Sequence, residues 1–127
     1  ADLDWAEGVL GAVGTVLRLP ERHLDAVTAL SGSGPAYFYL VAEALIEAGV
    51  LAGLTREVSR TLVVETLFGS AKLLVETGEE PAALRASVTS PGGTTAAALR
   101  ALESRAVRSA FIEAVASATE RSRNLAR

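Results

Sequence analysis

The residues best suited to chemistry form one short stretch, Ser-Pro-Gly-Gly-Thr-Thr, from Ser90 to Thr95. It runs straight into an alanine-rich segment, Ala96-Ala97-Ala98-Leu99. A plain connector needs one proline or one glycine, so this one is over-built. Pro91 restricts Ser90 to extended geometry. Gly92 and Gly93 remove side chains where a ligand could approach the backbone. Thr94 or Thr95 then opens a helix. The first turn of a helix leaves N–H groups without intrahelical partners, and its dipole end is positive. Together these make an anion site well suited to a carboxylate. The hydroxyls of Ser90, Thr94 and Thr95 add donors whose direction can adjust. The plainer alternative is a capped helix start, in which threonine satisfies only the backbone.

Other candidates are weaker. Gly32-Ser33-Gly34-Pro35-Ala36-Tyr37 invites comparison with the dinucleotide fingerprint GxGxxG. The match fails at Tyr37, where the third glycine belongs, and a helix rather than a strand is expected before it. The plain reading is a glycine break between helices. The functional one is a backbone that must come close to something flat. His23 is the single histidine and sits among Glu21, Arg22 and Asp25, as a solvated surface residue would. With one histidine and no cysteine, structural zinc is excluded and no metal site is expected. Glu43 and Glu47 share a helix face and could act as paired carboxylates. Their surroundings favour an ordinary polar stripe.

These residues must be held by helices. The chain has 127 residues, half of them hydrophobic, 5% aromatic and 21% charged, which excludes a disordered tail. That length supports one domain with its own core, so residues 1–127 read as a single helical unit. The net charge of −3, with no basic stripe, argues against nucleic acid as a partner. The absence of cysteine fits a cytoplasmic protein. No segment reads as a signal peptide, and Glu43 and Glu47 argue against a membrane span. The chain has no Met, so it reads as a piece of a longer protein.

Helical periodicity predicts an all-α fold of six to seven helices. The first covers Asp2 to about Val13, with Gly8, Gly11 and Gly14 marking close backbone approach or a frayed end. Thr15–Leu19 reads as an extended connector. A short helix follows from Pro20 to near Leu30, then a break at residues 31 to 34. Pro35 opens a helix closed by Gly49 and Gly53. Tyr37, Leu40, Val41, Ala44, Leu45 and Ala48 form its apolar face, widened by Phe38, Ala42 and Ile46. So apolar a helix needs cover on most sides, and a partner subunit is expected to supply part of it. Thr55 can cap the next helix, which runs to about Glu76, carries a Lys72–Glu76 pair and stops at Gly78. Short helices follow from Pro81 to about Ala86 and from about Gly92 to Ser104. The last places Val107, Ala110, Phe111, Ala114, Val115 and Ala118 on one face.

Two motifs, DAVTALSGSGPAYFYL (Asp25–Leu40) and VTSPGGTTAAALRALE (Val88–Glu103), resemble the C-terminal domain of the pyrroline-5-carboxylate reductases. AGVLAGLTRE, TLFGSAKLLVETGEEPAALR and FIEAVASATERSRNL resemble them too, so the likeness spans nearly the whole chain and is weakest over residues 1 to 20. The resemblance implies reduction of 1-pyrroline-5-carboxylate to L-proline with NADPH or NADH, the last step of proline biosynthesis. It implies an intertwined helical dimerisation domain, similar to the C-terminal domain of 6-phosphogluconate dehydrogenase. The implied partner is a second copy, with five dimers forming a decamer in many members. The implied substrate site lies where this domain meets the cofactor-binding Rossmann domain of the other subunit. By residue, Ser90, Gly92, Gly93 and Thr94 would hold the substrate carboxylate, and Val88 would line the ring pocket. Thr95 would bond the ring nitrogen as the candidate catalytic proton donor. Ser31 to Pro35 would shape the site near the nicotinamide. No strand–GxGxxG–helix unit occurs in this chain, so it is expected neither to bind the cofactor nor to catalyse alone. The rival readings are a purely structural helical oligomerisation module and the equivalent domain of a related imine or β-hydroxyacid reductase.

Overall fold

The structure is a computed structural model and describes residues 1–126. It is all-α, with no strand among the described residues. The helices are α1 (Asp2–Gly11), α2 (Leu24–Val27), α3 (Gly34–Leu51), α4 (Arg56–Thr77), α5 (Pro81–Ser87), α6 (Thr94–Ser104) and α7 (Val107–Leu125). A 3₁₀ turn, Glu21–His23, leads into α2, and a π turn, Thr28–Gly32, leads out of it. The expected connector at Thr15–Leu19 is irregular. Arg18 ties it back to Asp4 and Glu7 of α1. No close approach forms around the early glycines: nothing lies within 4 Å of a Cβ built on Gly8, Gly11 or Gly14.

The break expected at residues 31 to 34 does not occur. The backbone stays wound through a wider turn, with the Ser33 N–H donating to the Thr28 carbonyl at 2.8 Å. Pro35 explains why the winding must change. It has no N–H, and its ring would clash with the carbonyl four residues back in a tight helix. Five-residue spacing loosens that turn, and Ala36 N–H then resumes on the Ser33 carbonyl at 3.1 Å. Tyr37 Oη spans the wide turn and donates to the Ala29 carbonyl at 2.7 Å.

α3 and α4 form a hairpin. The end of α3 is a Schellman motif: Leu54 N–H bonds the Gly49 carbonyl and Gly53 N–H bonds the Val50 carbonyl, both at 3.0 Å. Gly53 has φ +101°, which requires glycine. Thr55 Oγ1 then accepts from the Val58 N–H at 3.2 Å and starts α4. The helices touch closely beside this turn. A Cβ on Gly49 would come within 2.9 Å of Ser59 Cβ and 2.6 Å of Ser59 Oγ. Ser59 is 1% exposed and its hydroxyl has no hydrogen-bond partner among the described residues. It is there for its size. Lys72 and Glu76 pair as expected, at 3.7 Å, but both are exposed and stabilise little.

α7 folds back on α2 and the π turn, burying Ala29 completely. Ser122 Oγ donates to Asp25 Oδ1 at 2.7 Å, and Arg123 Nε lies 4.0 Å from the same carboxylate. α6 reaches α7 through Ala106, whose φ of +55° places a non-glycine residue in the left-handed region.

Length alone leads to the expectation of a real core, and within one chain little of one forms. Among the described residues the only buried hydrophobic side chains are Ala29 and Ile46. Phe38, Leu40 and Phe68 are 59%, 65% and 65% exposed. The accessible surface is 10284 Å², where a compact monomer of this mass exposes about 6,400 Å². The length sufficed for a core, but long helices laid side by side cannot wrap one.

The helical run from Glu21 to Leu51 is long and apolar enough to cross a bilayer by length and composition alone. The π turn and the exposed Glu43 and Glu47 interrupt it, so cover by protein suits it better than lipid.

Gly49→Ala should lower stability by about 1–3 kcal/mol through overpacking against α4, and adding Ser59→Gly should restore part of the loss in thermal unfolding. Ala106→Gly should raise the unfolding midpoint, since a left-handed alanine costs about 1–2 kcal/mol.

Candidate functional site

The stretch from Ser90 to Gly93 forms a type II turn. Pro91 takes its second position, Gly92 its third with φ +70°, and the Gly93 N–H closes it on the Ser90 carbonyl at 3.1 Å. Each residue is there for a reason. Pro91 has its φ preset, and Gly92 adopts a conformation that an L side chain resists. Gly93 is needed for space: a Cβ there would collide with Ser90 Oγ and sit 3.2 Å from the Ser90 carbonyl oxygen. The Ser90 hydroxyl is therefore folded back over the start of α6.

α6 begins without a side-chain cap. Its N-cap is Gly93, in extended geometry at φ −82° and ψ 178°. The first helical bond runs from the Ala97 N–H to the Gly93 carbonyl at 3.2 Å. The N–H groups of Thr94, Thr95 and Ala96 find no acceptor among the described residues. The hydroxyls of Ser90, Thr94 and Thr95 likewise have no protein partner among them. The capped-start alternative thus fails on geometry, because neither threonine occupies the capping position. The three unpaired backbone donors lie at the positive end of an eleven-residue helix, and the three hydroxyl-bearing residues flank its first turn. An anion with two oxygens, such as a carboxylate, matches that set.

The turn is open on its outer side. Ser90, Pro91, Gly92 and Thr94 are exposed, while Gly93, Thr95 and Ala96 are half-buried. Val88 is 66% exposed and lines an apolar groove of about 260 Å³ between α4 and α5, with Leu73, Leu74 and Leu84. A small ring could rest against that side. The segment before the turn is anchored by Thr89 Oγ1, which donates to the Arg85 carbonyl at 2.6 Å. Neither Thr89 nor Arg85 was among the expected site residues. The available signal was charge: from Pro81 to Leu102 the chain carries Arg85 and Arg100 and no carboxylate.

The remaining candidates lie apart. Ser31 to Pro35 belong to the π turn and the start of α3, packed on α7, while α6 meets α7 from its own hinge. The two motifs are not packed together within one chain. Residues 32 to 34 do not fit a dinucleotide pyrophosphate: the Ser33 N–H is already bonded, Gly34 is buried, and helical backbone precedes them. His23, Glu43 and Glu47 are exposed, as the plain readings required. Among the described residues no group of three potential metal ligands occurs.

Residues 21–125 match the family described as pyrroline-5-carboxylate reductase dimerisation. A pyrroline-5-carboxylate reductase of Synechocystis is 51% identical over 94% of this chain and 45% of its own length. One of Corynebacterium melassecola is 50% identical over 97% of this chain and 46% of its own. The chain therefore spans about half the length of the curated relatives it matches. Among solved structures, a pyrroline-5-carboxylate reductase of Coxiella burnetii superposes with a TM-score of 0.93 at 42% identity, over 98% of this chain and 46% of that one. A Plasmodium falciparum pyrroline carboxylate reductase with NADP bound gives 0.90 at 36% identity, over 99% and 51%.

Gly92→Ala should cost about 1–2 kcal/mol of stability by forcing alanine into the left-handed region, read as a lower melting temperature. Gly93→Ala should displace the Ser90 side chain, visible as a changed Ser90 rotamer in a crystal structure of the variant.

Proposed function

Because the chain belongs to the pyrroline-5-carboxylate reductase dimerisation family, we propose that it is the dimerisation and substrate-binding unit of a pyrroline-5-carboxylate reductase. The whole protein would reduce 1-pyrroline-5-carboxylate to L-proline with NADPH or NADH, in the cytoplasm, as the last step of proline biosynthesis. One observation carries the reading: a type II turn leads into a helix start whose backbone donors are unpaired, with Ser90, Thr94 and Thr95 beside them. Residues 32 to 34 do not form a pyrophosphate cradle, so the chain's part in cofactor binding would be limited to Ser31 to Pro35 shaping the site near the nicotinamide.

The roles are those the family resemblance implies, and the open helix start supports them. The N–H groups at the start of α6 and the Ser90 hydroxyl receive the substrate carboxylate. Gly92 and Gly93 let it reach the backbone, and Val88 packs against the ring. Thr95 lies one residue beyond Thr94 and is half-buried, where Thr94 is exposed. Reduction of a C=N bond leaves the nitrogen needing a proton. A donor held at that atom stabilises the charge developing there. A threonine hydroxyl is too weak an acid to be the proton's source, so Thr95 orients the nitrogen and relays the proton. Most of the chain's contribution is position.

The second role is assembly. The surface exceeds that of a compact monomer by about 3,900 Å², within reach of an obligate dimer interface. This supports a homodimer, with association of five dimers as the further step. It equally favours a purely structural oligomerisation module, or the same unit in a related imine or β-hydroxyacid reductase. Only the turn argues for a retained substrate site.

In the complete protein, Thr95→Ala should lower kcat at least tenfold with a smaller change in KM, and Gly93→Val should chiefly abolish substrate binding. Normal kinetics in both variants would remove the site assignment and leave the structural module. Sedimentation at micromolar concentration should show a dimer or larger species; a stable monomer would refute the assembly role.

A further inference from the structure

We infer that Arg85 is a steering residue for this site: its cation draws the anionic substrate to the Ser90–Thr95 turn and holds its carboxylate side toward α6. The inference rests on the substrate reading above and goes beyond it. The chain as a whole is acidic, at −3, yet the stretch from Pro81 to Leu102 carries two arginines and no carboxylate. The acids that bound this stretch are Glu79 and Glu80 on one side and Glu103 on the other. Glu103 is engaged by Arg108 Nε at 2.7 Å. Arg85 and Arg100 form no ion pair among the described residues. The turn therefore sits inside a small positive island.

Geometry separates the two arginines. Val88 N–H and Thr89 Oγ1 both bond the Arg85 carbonyl, so the helical winding continues past Ser87 to the edge of the turn. Residues four apart on such winding lie side by side, with Cβ atoms about 5–6 Å apart. Arg85 and Thr89 thus share a face. Both line one cavity of about 280 Å³ with Ala86 of α5 and Leu99 of α6. Leu99 lies four residues after Thr95, so it occupies the same face of α6 as the proposed nitrogen donor. Arg85 is consequently on the Thr95 side of the turn. Arg100 is the next residue round the helix, about 100° away from that face.

An exposed guanidinium there raises the local concentration of a carboxylate before the fixed donors engage it. Its effect should depend on charge, weaken with salt, and leave the chemical step alone. A purely structural arginine, packed for its methylene stem, would behave differently.

The test is steady-state kinetics of the complete protein with 1-pyrroline-5-carboxylate over a range of ionic strength. Arg85→Gln should raise KM by about threefold to tenfold, keep kcat within about twofold, and flatten the dependence of KM on salt. Arg85→Lys should restore most of the lost affinity and the salt dependence. An unchanged KM in Arg85→Gln, or a lysine variant as impaired as the glutamine one, would overturn the inference. If the glutamine variant does not fold, the lysine variant and the salt dependence of the unmodified protein decide. A KM insensitive to salt there overturns it equally. Failure of this inference alone leaves Thr95→Ala and Gly93→Val impaired. Failure of the substrate reading leaves those two normal as well.

Discussion

Everything in this fold depends on apolar surface that one chain cannot cover. Burial of nonpolar area is the main favourable term in folding. Here only two hydrophobic side chains are withdrawn from water among the described residues. The α3–α4 hairpin and the return of α7 onto α2 set the helices' directions, but neither closes a core. The stabilising area lies along the outer faces of α3 and α4. Between them runs an apolar groove of about 380 Å³, lined by Val41, Leu45, Leu62 and Leu67. In the proposed homodimer, folding and association would be coupled, with the second copy supplying what another helical layer supplies in a self-sufficient domain.

The turn before α6 works the opposite way. It is made of polar and small residues, is largely open to water, and takes its shape from the backbone alone. A type II turn closed on itself, with Thr89 anchored to Arg85 just before it, is defined by local bonds rather than by what covers α3 and α4. Its openness also limits it. Each unpaired N–H is solvated when free, so a carboxylate gains little until water is excluded by whatever part of the protein closes over the turn.

Much of this was legible in the residues. The helices of the hairpin followed from Gly53, Thr55 and Gly78, whose stop and start chemistry is local. The Ser90–Thr95 turn followed from proline and paired glycines, also local. The need for outside cover on α3 was legible, but how little the chain buries elsewhere was not, because periodicity tells which face is apolar and not whether anything of the same chain lies opposite. The winding at residues 28 to 34 was misread for a related reason. Glycine and serine weaken a helix, but the Ser33 bond to Thr28 and the Tyr37 hydroxyl on Ala29 depend on how α7 pins that region from outside. The Arg85–Thr89 connection was missed because a side chain bonding a carbonyl four residues back leaves no mark in composition.

The π turn has a consequence of its own. A wide turn amounts to one extra residue threaded into an otherwise regular winding. Each residue of an α-helix advances the direction of a side chain by about 100°. The orientation of the α3–α4 hairpin relative to the α7-bound end is thus set as a phase, stored in a single inserted position between Thr28 and Gly34. Losing that residue would leave the side-chain types of α3 unchanged, but would press the Pro35 ring against a tighter turn. It would also swing the apolar face of α3 by about 100° relative to the α7-bound end, away from any surface that the proposed dimer buries against it. The geometry of assembly is held at this one point as a count of residues.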